Sequence, residues 1–171
     1  MKLNQLLEQI KSTALDVDYL RKRLPKKCKI VDYTMLKGHR SQIFKGIEAL
    51  VVLIPKKDSD IGHFVVLLPR DHHIEYFSSL GGSPQSELAK LGEPERQMKE
   101  MLGKNYIYNR KKLQSGKYNI QDCGLWCILR CRLRHLKLRE FQELFMRSIN
   151  LQTSDEIAAC MGVVMFLDKS D

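Results

Sequence analysis

Apolar residues form four short runs in the middle of the chain, and each run has the length and composition of a β-strand. Residues 49–54 are continuously apolar and rich in β-branched side chains, which is typical of a strand buried on both faces. Residues 62–69 predict a second buried strand, residues from 74 a third, and residues 105–109 a short fourth one. The polar turn at residues 70–73 predicts that the second and third strands pair as an antiparallel hairpin.

Elsewhere the apolar residues recur at intervals of three and four, which indicates amphipathic helices. This pattern predicts helices over residues 1–15, 85–102 with a break around Gly92, 124–135, 140–145 and 154–167. Residues 28–46 follow neither rhythm and predict short strand and loop pieces. Together the elements predict a single α+β domain over residues 1–171, with a mixed, largely antiparallel sheet flanked by helices. We expect its core at about 47–150, with the two terminal helices packed on it.

The composition is that of a globular protein. Hydrophobic residues make up 43% and charged residues 29% of the chain, which excludes an intrinsically disordered protein. No apolar run is long enough to span a membrane, and the N-terminus lacks the apolar block of a signal peptide. The five cysteines are an odd number without disulfide-rich spacing, so we expect a reducing, intracellular location rather than secretion.

The formal net charge of +9 fits either a soluble basic protein or attraction to nucleic acid or another polyanion. Two basic segments are the candidate binding residues. They are Arg21, Lys22, Arg23, Lys26 and Lys27 in the first, and Arg130, Arg134 and Lys137 in the second. The second set recurs along one stripe of a predicted helix, where we expect an exposed basic face. A solvated surface is the alternative for both segments.

One cysteine stands where a polar, turn-rich segment at 114–122 changes abruptly into an apolar helical run. Cys123, followed by Gly124, would begin this buried helix, where the helix dipole and unpaired amides favour a thiolate. Cys123 is therefore the candidate nucleophile, whereas Cys127 and Cys131, one and two turns later, are expected to fill the core. Three cysteines on one straight helix cannot surround a zinc ion tetrahedrally, so we expect no metal site.

A thiol nucleophile needs a histidine that takes and returns its proton. His63 is the candidate, because it begins a buried strand directly after Gly62, where a rigid backbone would fix the ring and leave one face open. The other histidines fall in loops, in a turn or at a helix end: His39, His72, His73 and His135. From the pattern alone, a core or surface role for His63 stays open.

The order of several short motifs resembles that of the adenovirus-type cysteine endopeptidases, which include related proteases of Maverick-type mobile elements. The motifs are Gly62-His63-Phe64, Glu75-Tyr76-Phe77 with Leu80-Gly81, Tyr108-Asn109, Gln114, and Cys123-Gly124-Leu125-Trp126-Cys127. The resemblance covers about residues 50–135. The SUMO and ubiquitin-like deconjugating proteases share the order of histidine before cysteine and have a similar fold.

The resemblance implies a papain-like, adenain-like fold with His63 as general base and Cys123 as nucleophile. It also implies a glutamine in the oxyanion hole, for which we choose Gln114, although this requires a small insertion relative to the family. Gln121 is closer to the cysteine but leaves little chain to turn back over the site. No metal is implied, and DNA and a viral peptide are candidate activators, as in the relatives.

The chain departs from the family at the third catalytic position, where Ser78 replaces the expected Asp, Glu or Asn. A serine oxygen can accept a hydrogen bond from the imidazole, but it cannot stabilise an imidazolium as a carboxylate does. Glu75 lies nearby but alternates with Tyr76, so we expect it to point elsewhere. Three explanations stay open: a dyad oriented by Ser78, which we favour, a substitute acid from another loop, or lost activity.

These observations lead us to expect a monomeric viral cysteine endopeptidase that cleaves structural-protein precursors during virion maturation. Its partners would be polypeptide substrates and DNA, without a membrane. Its location would be the virion and the host nucleus or cytoplasm. One alternative is a deconjugating protease for ubiquitin-like modifiers, and another is an inactive relative that serves as a basic, nucleic-acid-binding virion protein.

Overall fold

A sheet of five strands forms the centre of the computed structural model, which describes residues 17–59, 62–114, 123–146 and 158. The strands lie in the sheet in chain order: β1 Cys28–Asp32, β2 Ala49–Pro55, β3 Gly62–Pro69, β4 Ile74–Phe77 and β5 Tyr106–Tyr108. The four predicted strands are confirmed as β2 to β5. β1 lies in the stretch that predicted only short pieces.

Helices surround the sheet. In chain order they are α1 Val17–Arg23, α2 Arg40–Ile43, α3 Pro84–Leu91, α4 Arg96–Leu102, α5 Cys123–Arg132 and α6 Leu138–Met146. The predicted break around Gly92 is confirmed, because this glycine ends α3 in the left-handed conformation, with φ of 80°. The predicted helices 1–15 and 154–167 lie outside the described residues, except for Ala158, which is helical. None of the helices in the described ranges is long and apolar enough to cross a bilayer.

The sheet is mixed, as predicted, but it is not largely antiparallel. β2 pairs antiparallel with β3, and β3 with β4, and the second pair is the predicted hairpin. The outer pairs, β1–β2 and β4–β5, are parallel. Parallel neighbours require a crossover connection, and the chain crosses through α2 between β1 and β2 and through α3 and α4 between β4 and β5.

Helices on both faces bury the central strand β3, apart from its two partly exposed end residues. Phe64, Val66 and Leu68 of β3 belong to a core with α1, α5 and α6, whereas Val65 and Leu67 belong to a core with α3 and α4. This three-layer arrangement explains why β3 is a continuous apolar run rather than an alternating one. It also brings α5 against β3, so that the two elements carrying Cys123 and His63 are packed together.

A buried ion pair joins α5 to β4, and it overturns one expectation from the sequence. Arg130 is fully buried and donates to both carboxylate oxygens of Glu75, at 2.7 and 3.0 Å. The partly exposed guanidinium of Arg70 also contacts this carboxylate, from the end of β3. The prediction that Arg130 lies on an exposed basic face is therefore wrong, because α5 is buried on every side from residue 123 to 131. The expectation that Glu75 points away from the candidate site is confirmed.

The other basic residues keep more of their exposure. Arg134 is partly exposed and pairs with Glu48, while Lys137 is exposed. In the first segment, Arg23 is half-buried over the Tyr19 ring, and four cations are exposed. These four are Arg21, Lys22, Lys26 and Lys27. The first basic segment is thus a solvent-facing surface.

Candidate active site

The predicted base, His63, lies at the end of the sheet where β3 begins and β4 ends. It pairs across the sheet with Ile54, and only 7% of its surface is exposed. The residue before it, Gly62, leaves no room for a side chain, because a Cβ there would lie 2.7 Å from Leu53 Cδ1 and 2.8 Å from the Ile54 carbonyl oxygen. A buried strand with a glycine at its first residue therefore holds the imidazole in one place.

Cys123 is the first residue of α5, as the sequence predicts. Its thiol interacts with the His63 imidazole and raises the pKa of that ring, and Cys123 is only 7% exposed. The ring nitrogen Nε2 of His63 faces Ser78 at 3.0 Å. Nδ1 is accordingly the nitrogen available to the thiol. The two residues chosen from the sequence as nucleophile and base are thus in contact.

The structure adds a carboxylate that the sequence reasoning missed. Glu87 of α3 is 4% exposed, and its Oε2 lies 3.6 Å from Nε2 of His63. Three donors hold the carboxylate: the Ser78 hydroxyl at 2.6 Å, the Tyr76 hydroxyl at 2.6 Å and the Gly82 amide at 3.1 Å. A Cβ on Gly82 would lie 2.7 Å from Glu87 Cγ, so glycine is what allows the loop to approach this side chain.

A signal for Glu87 exists in the sequence. The helix α3 begins after Ser83, whose hydroxyl accepts from the Ser86 amide, and Pro84 occupies its first turn. Glu87 then falls at i+3 from Pro84 and i−4 from Leu91, in the middle of the apolar stripe. A carboxylate on the buried face of a helix needs partners, and this one finds them at His63, Ser78 and Tyr76.

Ser78, chosen at the acid position of the resembled family, does contact His63. Its backbone is held by Asn109, whose side-chain Oδ1 accepts from the Ser78 amide and whose Nδ2 donates to the Ser78 carbonyl. Asn109 and Ser78 are both buried. The serine is therefore a fixed link between the imidazole and Glu87 rather than a surface residue.

Gln114 is joined to the same network through the residue after Ser78. Its backbone amide donates to the Ser79 carbonyl at 3.0 Å, and its side-chain Oε1 accepts from the Ser79 hydroxyl at 2.8 Å. The residue is 8% exposed, so Gln114 is buried and is not a polar surface residue. The competing choice, Gln121, lies outside the described residues.

The charges of the site reinforce one another. Burial by itself would lower the pKa of His63, but interactions with Cys123 and Glu87 raise it to about 9. Burial would likewise raise the pKa of Glu87, but His63, Ser78 and Tyr76 hold it below its usual value. The imidazole is therefore protonated at neutral pH. The Cys123 sulfur on one side and the Glu87 carboxylate on the other both stabilise its positive charge.

The remaining described cysteines lie in the core. Cys127 and Cys131 are buried, as predicted, and burial raises the pKa of Cys127 well above its ordinary value. Cys28 and Cys131 hydrogen-bond to each other, and this bond lowers the pKa of Cys28 and raises that of Cys131. Of these thiols, Cys123 is the one that contacts a histidine.

The chain is similar to a viral protein along most of its length. It is 28% identical over 172 residues to "Uncharacterized protein V9" of Sputnik virophage, an alignment that covers 92% of this chain and 98% of the relative. No protein-family model matches the chain. The resemblance to adenovirus-type endopeptidases thus stays a hypothesis about the site. The structure and the comparison show an α+β protein with a distant relative in a virophage.

Proposed function

We propose that this protein is a viral cysteine endopeptidase, with Cys123 as the nucleophile and His63 as the general base. The observation that carries the proposal is the buried contact between a helix-start thiol and a histidine whose pKa is raised to about 9. A cysteine that acts as a nucleophile must be a thiolate, and a protonated imidazole beside it stabilises that form. A cysteine that only fills the core needs neither a position at a helix start nor a histidine beside it.

The reaction follows from this pair. His63 carries the proton that the thiol has given up, and the sulfur of Cys123 attacks the carbonyl carbon of the scissile peptide bond. The protonated imidazole then gives its proton to the leaving amine as the C–N bond breaks, which leaves an acyl group on sulfur. A water molecule gives a proton to His63 and attacks the acyl carbon, so that the acid product leaves and the thiol is regenerated.

The negative oxygen formed in each addition step needs hydrogen-bond donors. The backbone amide of Cys123, at the start of α5, is one donor in the proposal. Gln114 supplies the other. Its Oε1 already accepts from the Ser79 hydroxyl, so the Nε2 end of the amide is the end that donates.

Viral structural-protein precursors are the substrates that we propose. The support is the similarity to a virophage protein together with the motif order that resembles adenovirus-type endopeptidases. DNA is a further candidate partner. With Arg130 buried, that idea now depends on the exposed cations of the first basic segment and on Lys137.

The thiol is the first thing to test. We expect iodoacetamide to modify Cys123 much faster than the core thiols in the folded protein, and Cys123→Ala to abolish both this labelling and peptide cleavage. Cys127→Ala and Cys131→Ala are the matched controls and should retain both. Cys28 is the thiol that could compete, because its pKa is lowered, so Cys28→Ala is the variant that removes this ambiguity.

The substrate is tested separately with the wild-type protein and Cys123→Ala. One panel contains the structural-protein precursors of the virus that encodes this chain, and the other contains fusions of ubiquitin-like modifiers. Cleavage confined to the second panel would replace the proposal with a deconjugating protease. Equal labelling of all five cysteines, with no cleavage of either panel, would leave the inactive, nucleic-acid-binding alternative.

A further inference from the structure

The hydroxyl of Ser78 lies between the imidazole and the carboxylate and contacts both. Its Oγ is 2.6 Å from Oε1 of Glu87 and 3.0 Å from Nε2 of His63. The backbone amide of Leu80 also donates to this oxygen, at 3.2 Å. Three polar groups therefore share one buried hydroxyl, and its single proton decides the direction of every bond.

That direction follows from counting donors and acceptors. Glu87 is an acceptor when ionised, so the hydroxyl proton of Ser78 is committed to Oε1. The Ser78 oxygen can then only accept, and the hydrogen bond from His63 must come from a proton on Nε2. In the neutral imidazole the other nitrogen, Nδ1, then has no proton, and Nδ1 is the nitrogen that is available to Cys123. The hydrogen-bond chain thus selects the tautomer that can take a proton from the thiol.

Glu87 is itself held so that it cannot turn away. Tyr76 and Gly82 donate to its two oxygens from β4 and from the loop that precedes α3. The carboxylate is ionised in this setting, since its pKa lies below the usual value despite its burial. Its negative charge lies 3.6 Å from Nε2 of His63, which is the distance of an ion pair and too long for a good hydrogen bond.

We propose that Glu87 is the acidic member of this site, a positioning residue that acts on His63 through the hydroxyl of Ser78. The carboxylate supplies the charge that stabilises the imidazolium, and the serine supplies the hydrogen bond that orients the ring. This inference rests on the proposed function. It places the acid on a helix, whereas the resembled family places it after the strand, where this chain has Ser78.

The arrangement unites two explanations that the sequence left open. Ser78 orients the imidazole, and a substitute acid is present, although it comes from α3 and not from a loop. The shared role of Ser78 and Glu87 also explains why Asn109 is buried next to Ser78. Asn109 hydrogen-bonds to both the amide and the carbonyl of Ser78, and this fixes the backbone so that the hydroxyl can contact the imidazole and the carboxylate together.

The first test measures His63 directly and needs no substrate. Its ring protons are titrated by NMR in the full-length protein and in Glu87→Gln, which keeps the shape of the side chain and removes the charge. We expect the pKa of His63 to fall from about 9 by at least about one unit in Glu87→Gln. Glu100→Gln, an exposed carboxylate paired with Arg96 on α4, is the matched control and should leave the titration unchanged.

The second test uses peptide cleavage as a function of pH. Glu87→Gln should lower kcat about 10- to 100-fold with little change in KM, and the alkaline limb of the profile should move to lower pH. The double variant Ser78→Asp/Glu87→Ala returns a carboxylate to the position next to the imidazole. Its activity should be at least about tenfold higher than that of Glu87→Ala alone. The alkaline limb of its pH profile should lie closer to the wild-type position.

The outcomes separate this inference from the proposed function. An unshifted His63 titration in folded Glu87→Gln, or a loss of activity with an unmoved alkaline limb and no rescue, would overturn the role of Glu87. Either result would leave a wild-type peptidase standing. A wild-type protein that cleaves nothing and does not label at Cys123 would overturn the proposed function instead, whatever the titration shows.

Discussion

Replacing Arg130 by methionine should destabilise the whole domain strongly. Arg130 is fully buried and makes four hydrogen bonds, two to the carboxylate of Glu75 and two to the carbonyls of Leu133 and Leu136. Its guanidinium also lies 4.9 Å from the centre of the Phe141 ring. Arg130→Met would leave the buried carboxylate of Glu75 with Arg70 as its remaining cation.

The magnitude follows from the loss of the fully buried partner of this carboxylate, which then keeps only the partly exposed Arg70. Removing one partner of a buried ion pair costs about 3–5 kcal/mol, a large share of the roughly 5–15 kcal/mol by which a domain is stable. For a chain of this size the same loss lowers the melting temperature by about 6–20 °C. Glu75→Gln added to Arg130→Met removes the buried negative charge, so we expect the double variant to recover at least about 1–2 kcal/mol.

Urea unfolding, followed by tryptophan fluorescence, measures these differences. The chain has one tryptophan, Trp126, which is buried on α5 with its ring centre 4.7 Å from that of Phe145. Arg139→Met is the control, because Arg139 is an exposed cation of α6 paired with Glu143 and should change stability by less than about 0.5 kcal/mol. A loss of stability in Arg130→Met that is no larger than the loss in Arg139→Met would contradict a stabilising role for the buried ion pair.

The remaining predictions concern pH and salt. Because the pKa of His63 is raised to about 9, its contribution to stability should be complete below its ordinary value of 6.5 and lost as the pH rises through about 9. Cleavage should fall over the same alkaline range, since the leaving amine then lacks its proton donor; a profile flat to pH 10 would contradict this. Binding to a DNA duplex should weaken steeply between 50 and 200 mM salt and weaken further in Lys26→Ala/Lys27→Ala. No binding at low salt would dismiss the polyanion hypothesis.

Local pattern was enough to predict most elements of this fold. The strands β2 to β5 and the interrupted helix over 85–102 follow from apolar runs, turns and a left-handed glycine, all of which act within a few residues. The directions of the outer strands cannot be predicted in this way. Parallel pairing depends on crossover connections, and the pattern of apolar and polar side chains in a strand does not indicate them. The helix α1 was missed because its basic last turn hides a short apolar face that ends in the buried Leu20.

The same division runs through the site. Cys123 at a helix start and His63 after a glycine were visible in the sequence, since each depends on its own neighbours in the chain. Their contact was not visible, and neither were the partners of Glu87, because a position in the apolar stripe of a helix indicates burial but not which residues of other elements lie against it. Arg130 shows the opposite error: a regular stripe of cations predicted a surface, and the structure buries one of them against Glu75.

Local sequence pattern is sufficient to predict the strands β2 to β5, the helix break at Gly92 and the two residues that we propose as nucleophile and base. The contacts of Ser78 come from the packing of distant segments. The sequence left open whether Ser78 orients His63 alone, whether a substitute acid is present, or whether activity is lost. The packing of α3 against the end of β4 places Oε1 of Glu87 2.6 Å from the Ser78 hydroxyl. The physical reason is that the charge on an imidazole is set by whatever lies within a few ångströms in space, and most of those groups come from distant parts of the chain.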